Sequence, residues 1–220
     1  MTSSTPLTGP LEGYRILDLS TVLFGPYASQ MLGDLGADVI KIERLEGDGW
    51  RSAGQFRHRG MSGQFMAVNR NKRSLALDLK HPDGKAVLQR LVRTADVLVS
   101  NIRPAGLARL GFSYEDCRAL KPDLIYASAT GFGQDGPWRA RPAYDEIIQA
   151  ASGFASALGT EDEPAFVPSL VADKLCGMAL SSAVSAALLY RERTGEGQQV
   201  EVPMLETLAA FNSIEMLGGR

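Results

Sequence analysis

Histidine, cysteine and tryptophan are scarce, two of each among 220 residues. Cys117 and Cys176 stand in no metal or redox spacing, which excludes a disulfide framework and fits a reducing compartment. His58 and His81 form no HExxH or Cys/His cluster, so no metal site is expected. The loop Ser20 to Pro26 holds the single glycine Gly25 instead of GxGxxG, and GxxxxGK[ST] occurs nowhere, so the usual nicotinamide and nucleoside-triphosphate signatures are absent. No GxSxG elbow is present. No block of five Lys or Arg occurs and the net charge is -2, which excludes nucleic-acid binding by bulk charge. The opening MTSSTPLTGP has no apolar core and does not read as a secretory signal. The longest uncharged run, Leu175 to Tyr190, is diluted by Ser and Gly and falls short of the roughly 20 apolar residues of a membrane span. The expectation is a soluble cytoplasmic protein with neither a nucleic-acid nor a membrane partner.

What is present is an alternation of short apolar runs with helical patterns. Strands are predicted at Arg15–Ser20, Val39–Glu43, Val97–Ser100, Leu124–Ser128 and Gln199–Val202, with an extended segment at Ser74–Leu79. Helices are predicted at Pro26–Leu35, His81–Ala95, Tyr114–Leu120, Tyr144–Ser152, Asp173–Arg193 and Met204–Leu217. Strand–helix alternation implies a parallel sheet in a layered α/β domain, with ligands beyond the carboxyl ends of the strands. Residues 1–12 read as a flexible tail, 13–203 as the α/β domain, and 204–220 as a helix with no later element to pack on.

Three segments are candidates for chemistry, each with a plain structural alternative. Asn69-Arg-Asn-Lys72-Arg73, and Asn101-Ile102-Arg103-Pro104 with Arg109, could hold a phosphate near strand ends or could be solvated turns. Asp173 opens a long helix and could be simply its N-cap. Gly177, one turn later on the same face, could let a bulky ligand approach the backbone.

Taken in order, the blocks resemble a known family. Arg15-Ile-Leu-Asp-Leu-Ser20 with Gly25-Pro26, Leu35 to Arg44, Asn71 to Lys80, Asn101 to Pro104 with Leu107 to Gly111, Gly131 to Pro137 running to Pro142-Ala-Tyr-Asp145, Asp173 with Gly177, and Tyr190 to Gln198 are similar to the class III CoA-transferases, the CaiB/BaiF family of formyl-CoA and carnitine CoA-transferases. Members run to about twice this length. The resemblance therefore implies the N-terminal half of a protein whose Rossmann-like large domain belongs to an interlocked homodimer. The small domain, the returning C-terminal segment and a glycine-rich active-site loop would be missing.

The resemblance implies that Asp173 carries the acyl group and must stay ionised to do so. It implies that Val22 and Leu23 border coenzyme A, that Arg44, Lys80, Asn101, Ile102, Arg103 and Arg109 contact it, that Leu77 lies against the adenine, and that Tyr144 and Asp145 lie near the pantetheine end. The substrates would be an acyl-CoA and a carboxylic acid acceptor, with no cofactor beyond the CoA thioester. Leu23 replaces a glutamine found in several members, so an acyl group less polar than formate or oxalate is expected. A 2-methylacyl-CoA racemase of the same family places a histidine where this chain has Tyr144, a very weak base near neutral pH. A CoA lyase and a non-catalytic CoA-binding fragment are the remaining alternatives.

Overall fold

The computed structural model describes residues 9–160 and 162–218. Most of the expected tail, residues 1–8, lies outside them. Gly9 to Glu12 form a turn in which Leu11 is buried and donates its N–H to Leu35 O, so the packed region starts ahead of Gly13.

The strands are β1 (Arg15–Asp18), β2 (Asp38–Glu43), β3 (Lys72–Ala76), β4 (Val97–Ser100), β5 (Ile125–Thr130) and β6 (Gln198–Pro203). The helices are α1 (Phe24–Asp34), α2 (Gly63–Asn69), α3 (Pro82–Val92), α4 (Pro104–Leu110), α5 (Tyr114–Leu120), α6 (Asp145–Ala151), α7 (Phe154–Leu158), α8 (Val171–Thr194), α9 (Met204–Phe211) and α10 (Ser213–Leu217). The six strands pair in parallel in the order β3-β2-β1-β4-β5-β6. This is the Rossmann order, which reverses between β1 and β4 and opens a crevice beyond their carboxyl ends. The expected parallel α/β architecture is therefore present.

Strands β1, β4 and β5 are almost wholly buried because helices cover both faces, so even Asp18, Ser100, Ser128 and Thr130 on them are shielded from solvent. One core lies under α1 and α8 and includes Ile16, Phe24, Val99, Cys176 and Leu180. The other includes Leu17, Ile42, Leu88, Leu98 and Cys117. Burial pushes both cysteine thiols up to about 12, so each is an inert small hydrophobe. By length and composition α8 could cross a membrane. Its Ala172, Cys176, Leu180, Val184 and Leu188 are instead buried at helical spacing as one wall of the first core.

The extended segment expected at Ser74–Leu79 pairs earlier, as β3. The helix expected over Met204–Leu217 breaks at the buried Asn212 into α9 and α10. Helix α4 was not foreseen, although Pro104 at its first turn and Gly111 in the left-handed conformation at its end are ordinary start and stop signals.

Candidate active site at the carboxyl edge of the sheet

The loops after β1, β2, β3 and β4 enclose a cavity of about 690 Å³, within the usual range for small-molecule sites. Its apolar lining comes from Leu19, Ile42, Leu77, Leu79, Ile102 and Leu110, all at the rim of the second core. Arg44 and Lys80 are exposed cationic members of the same lining, and Val22 closes one side. Of the residues expected to touch coenzyme A, the fold thus gathers Val22, Arg44, Leu77, Lys80 and Ile102 around one space. Arg103 and Arg109 sit exposed on the neighbouring α4, outside the lining.

Buried ions stiffen this wall. Lys41, 1% exposed, pairs with Asp48 at 3.0 Å and donates to Ser20 O at 2.8 Å, tying the loop after β2 to the loop after β1. Glu43 accepts from Arg51 (2.6 and 2.7 Å), Ser74 Oγ (2.6 Å) and Asp48 N (2.8 Å). Burial would raise its carboxyl, but these donors hold it down at about 2.

The basic segment Asn69 to Arg73, a candidate anion site, is consumed internally. Lys72 Nζ reaches Asp18 Oδ2 (2.9 Å), Pro26 O (2.8 Å) and Asn69 Oδ1 (3.0 Å), Arg73 grips Asp38, and Arg70 grips Asp34. Burial opposes ionisation of Asp18, but Lys72 and Lys41 beside it hold the carboxyl well below its ordinary range. The carboxylates that neutralise these cations lie far away in sequence, so the segment alone did not reveal its partners.

Asn101 spends one side of its amide on the neighbouring loop. Its Oδ1 accepts Thr21 N–H at 3.0 Å and its Nδ2 donates to Thr21 O at 2.8 Å, bridging the crevice between the ends of β1 and β4. The next residue, Val22, has φ +69°, a left-handed conformation that costs a β-branched residue on the order of 1–3 kcal/mol. Leu23, expected to border the ligand, is only 5% exposed and packs inward at the start of α1.

Asp173 lies on the other face of the sheet, at the first turn of α8. It is not the N-cap: that position belongs to Leu170, which offers no side-chain acceptor. Two neighbouring elements enclose the carboxyl. Helix α1 has no acidic residue in its first turn and no side-chain cap, and its Phe24 N–H stands near enough to the Asp173 carboxyl to favour the ionised form. Asp145, 2% exposed at the start of α6, accepts Asp173 N–H through Oδ2 at 3.0 Å, while its Oδ1 takes Gln149 Nε2 at 2.6 Å. Burial first, and the negative charges of Asp145 and Glu146 after it, push the Asp173 carboxyl up to about 7, partly offset by Phe24 N–H. Near neutral pH the carboxyl is thus poised between its two forms, while the covalent role expected of it uses the ionised one.

Gly177 serves packing. A Cβ there would stand 2.9 Å from Tyr27 Cδ1 and 3.0 Å from Phe24 O, so its hydrogen lets α1 approach close enough for Phe24 to reach Asp173. Tyr144 is 68% exposed and, like Asp145 and Asp173, lies outside the cavity lining. The loop from Ser20 to Phe24 joins the two places, with Val22 in the cavity wall and Phe24 against Asp173. Sequence reasoning missed Lys41, Asp48 and the Phe24 amide. A lysine inside the apolar run Val-Ile-Lys-Ile was the one visible signal among them.

Comparison with known proteins gives the family. The model of CoA-transferase family III matches residues 11–218. The succinate–glutarate CoA-transferase of Agrobacterium fabrum is 44% identical across 96% of this chain and 56% of its own length. The acetyl-CoA:oxalate CoA-transferase of Acetobacter aceti is 43% identical over 96% of this chain and 55% of its own. The crystal structure of a CAIB/BAIF family protein from Brucella suis superposes with a TM-score of 0.91 at 36% identity, covering 96% of this chain and 58% of that one. The chain thus spans little more than half the length of these relatives. With a match over nearly every described residue and the same parallel sheet, it belongs to CoA-transferase family III.

Proposed function

We propose that the protein moves coenzyme A from an acyl-CoA to a carboxylic acid, with Asp173 as the covalent carrier. The observation that carries this reading is the Asp173 carboxyl, held at about 7 by burial and Asp145, facing the amino end of α1, whose preceding loop runs into the wall of a ligand-sized cavity. A carboxylate held against burial by one amide and opposed by a second carboxylate is a stronger nucleophile than one in water.

In this reading an Asp173 oxygen attacks the thioester carbonyl, the C–S bond breaks, and CoA leaves as the thiolate, giving an aspartyl mixed anhydride. The thiolate then attacks the aspartyl carbonyl and releases the donor acid, leaving aspartyl-CoA thioester. The acceptor carboxylate attacks that thioester, expels the thiolate and forms a second anhydride. Thiolate attack on the acceptor carbonyl yields the new acyl-CoA and restores Asp173. The dipole of α1 and the Phe24 amide favour the negative charge that develops at each addition.

The cavity would take the nucleotide end of CoA, with adenine over the leucine-rich floor and phosphates near Arg44 and Lys80. Arg103, Arg109 and the neighbourhood of Asn101 would flank it. Pantetheine would then cross Val22 toward Asp173. The relatives' names point to small dicarboxylic acids for at least one substrate. We further propose a cytoplasmic homodimer. The exposed Phe211 (58%), Ile214 (79%) and Leu217 (88%) support additional chain or a partner covering this end.

The test incubates the protein as encoded with succinyl-, acetyl-, propionyl-, oxalyl- and branched acyl-CoAs, then adds hydroxylamine. Mass spectrometry is expected to find a hydroxamate at Asp173, absent in Asp173→Ala. No label from any donor while CoA still binds would overturn the covalent mechanism.

A further inference from the structure

The loop between β1 and α1 is anchored at three places. Lys41 Nζ holds Ser20 O at 2.8 Å, the Asn101 amide holds Thr21 N–H and C=O, and Leu23 O is committed to Tyr27 N–H at 2.8 Å in the first turn of α1. The loop is also tight: a Cβ on Gly25 would fall within 2.5 Å of Ser20 Oγ. Between these anchors Val22 alone absorbs the change of direction, at φ +69°. Asn71 is the only other non-glycine with positive φ among the described residues. Asparagine adopts that conformation readily, whereas a β-branched residue does so only when its surroundings enforce it.

We propose that Asn101 is a positioning residue: by taking both main-chain groups of Thr21 it holds Val22 left-handed, which sets Val22 in the cavity wall and starts α1 with Phe24 against Asp173. Asn101 thereby couples the cavity on one face of the sheet to the carboxyl on the other. The two Thr21 bonds use one of the two Oδ1 lone pairs and one of the two Nδ2 hydrogens, so the amide keeps capacity for the ligand contact implied by family resemblance, and the two roles are separated by the test below. The role in turnover rests on the reading of Asp173 as acyl carrier; the role in the loop does not.

The test compares the protein as encoded with Asn101→Ala, Val22→Gly and the double variant, with Asn101→Asp as the conservative change. Glycine enters the left-handed region without enforcement. Asn101→Ala is therefore expected to slow acyl-CoA-dependent labelling of Asp173 about tenfold in the parent background, and no more than about twofold in the Val22→Gly background. Amide exchange over the Thr21–Phe24 segment should quicken about fivefold in Asn101→Ala, with Asn101→Asp keeping part of the protection because a carboxylate still accepts Thr21 N–H. An equal loss of labelling in both backgrounds would show that Asn101 contacts ligand directly and overturn the proposal, as would unchanged loop exchange in Asn101→Ala. If the parent protein labels with no donor, the acyl-carrier reading fails and exchange alone decides: a loosened loop supports the positioning role, an unchanged one refutes it.

Discussion

The carboxylate of Asp145 accepts the backbone N–H of Asp173 at 3.0 Å, so one buried acid caps the helix that carries a second, half-buried one. The bond fixes the first turn of α8, and its negative charge opposes ionisation of the side chain it positions. Asp145→Asn keeps an oxygen able to accept the N–H and removes the charge. The Asp173 carboxyl should then titrate below about 7, with burial still holding it above the ordinary carboxylate range. The pH profile of carbodiimide modification at Asp173 reports this: the midpoint should move to lower pH, and an unmoved midpoint would mean that burial alone sets it.

The same shift links Asp173 to stability. A carboxyl raised from 3.8 to about 7 binds its proton more tightly in the folded than in the unfolded state, so unfolding releases protons between those values and stability falls as pH rises across that window. Asp173→Asn lacks this slope. Urea denaturation should find it similar to the parent near pH 4 and a few kcal/mol more stable at pH 8, at about 1.4 kcal/mol per pK unit. A variant less stable than the parent at pH 8 would contradict this account.

Gly177→Ala tests the approach of the two helices. The new methyl meets the Phe24 carbonyl and the Tyr27 ring and must push α1 away from α8. A loss of about 1–3 kcal/mol in stability is expected, as for other overpacked sites. A slower reaction of Asp173 should accompany it, since the Phe24 amide retreats. Stability lost with unchanged Asp173 chemistry would separate packing from positioning.

Lys41→Met removes the cation that joins Asp48 to Ser20 and leaves the Asp48 carboxylate buried without it. Breaking a buried pair from one side costs about 3–5 kcal/mol. Because the pair is shielded from solvent, the loss should barely change between low and high salt. Chemical denaturation at two ionic strengths checks both statements, and a strongly salt-dependent loss would argue against a shielded pair.

Much of the layout was legible along the chain. Val97–Ser100 and Tyr114–Leu120 appear at their expected bounds, because the apolar run Val97–Val99 and a Ser113–Asp116 capping box are local signals. Asp173 was singled out as a candidate for chemistry, and its plain alternative, a capping role, falls to Leu170 instead. The break at Asn212 and the early start of β3 were illegible, since burial of Asn212 and pairing with β2 depend on residues distant in sequence.

Strand and helix periodicity, the absence of nucleotide and metal signatures, and the order of the shared blocks are properties of neighbouring residues, so a one-dimensional reading reached the parallel α/β class and the family. Whether a charge is free or spent depends on what lies across space. The fold spent Lys72 on Asp18 and Arg73 on Asp38, tied the Asn101 amide to Thr21, left Arg44 and Lys80 beside the cavity, and made Asp173 titrate near neutrality by burying it beside Asp145. Coulomb interactions and desolvation act through distance and burial, and only tertiary packing assigns those.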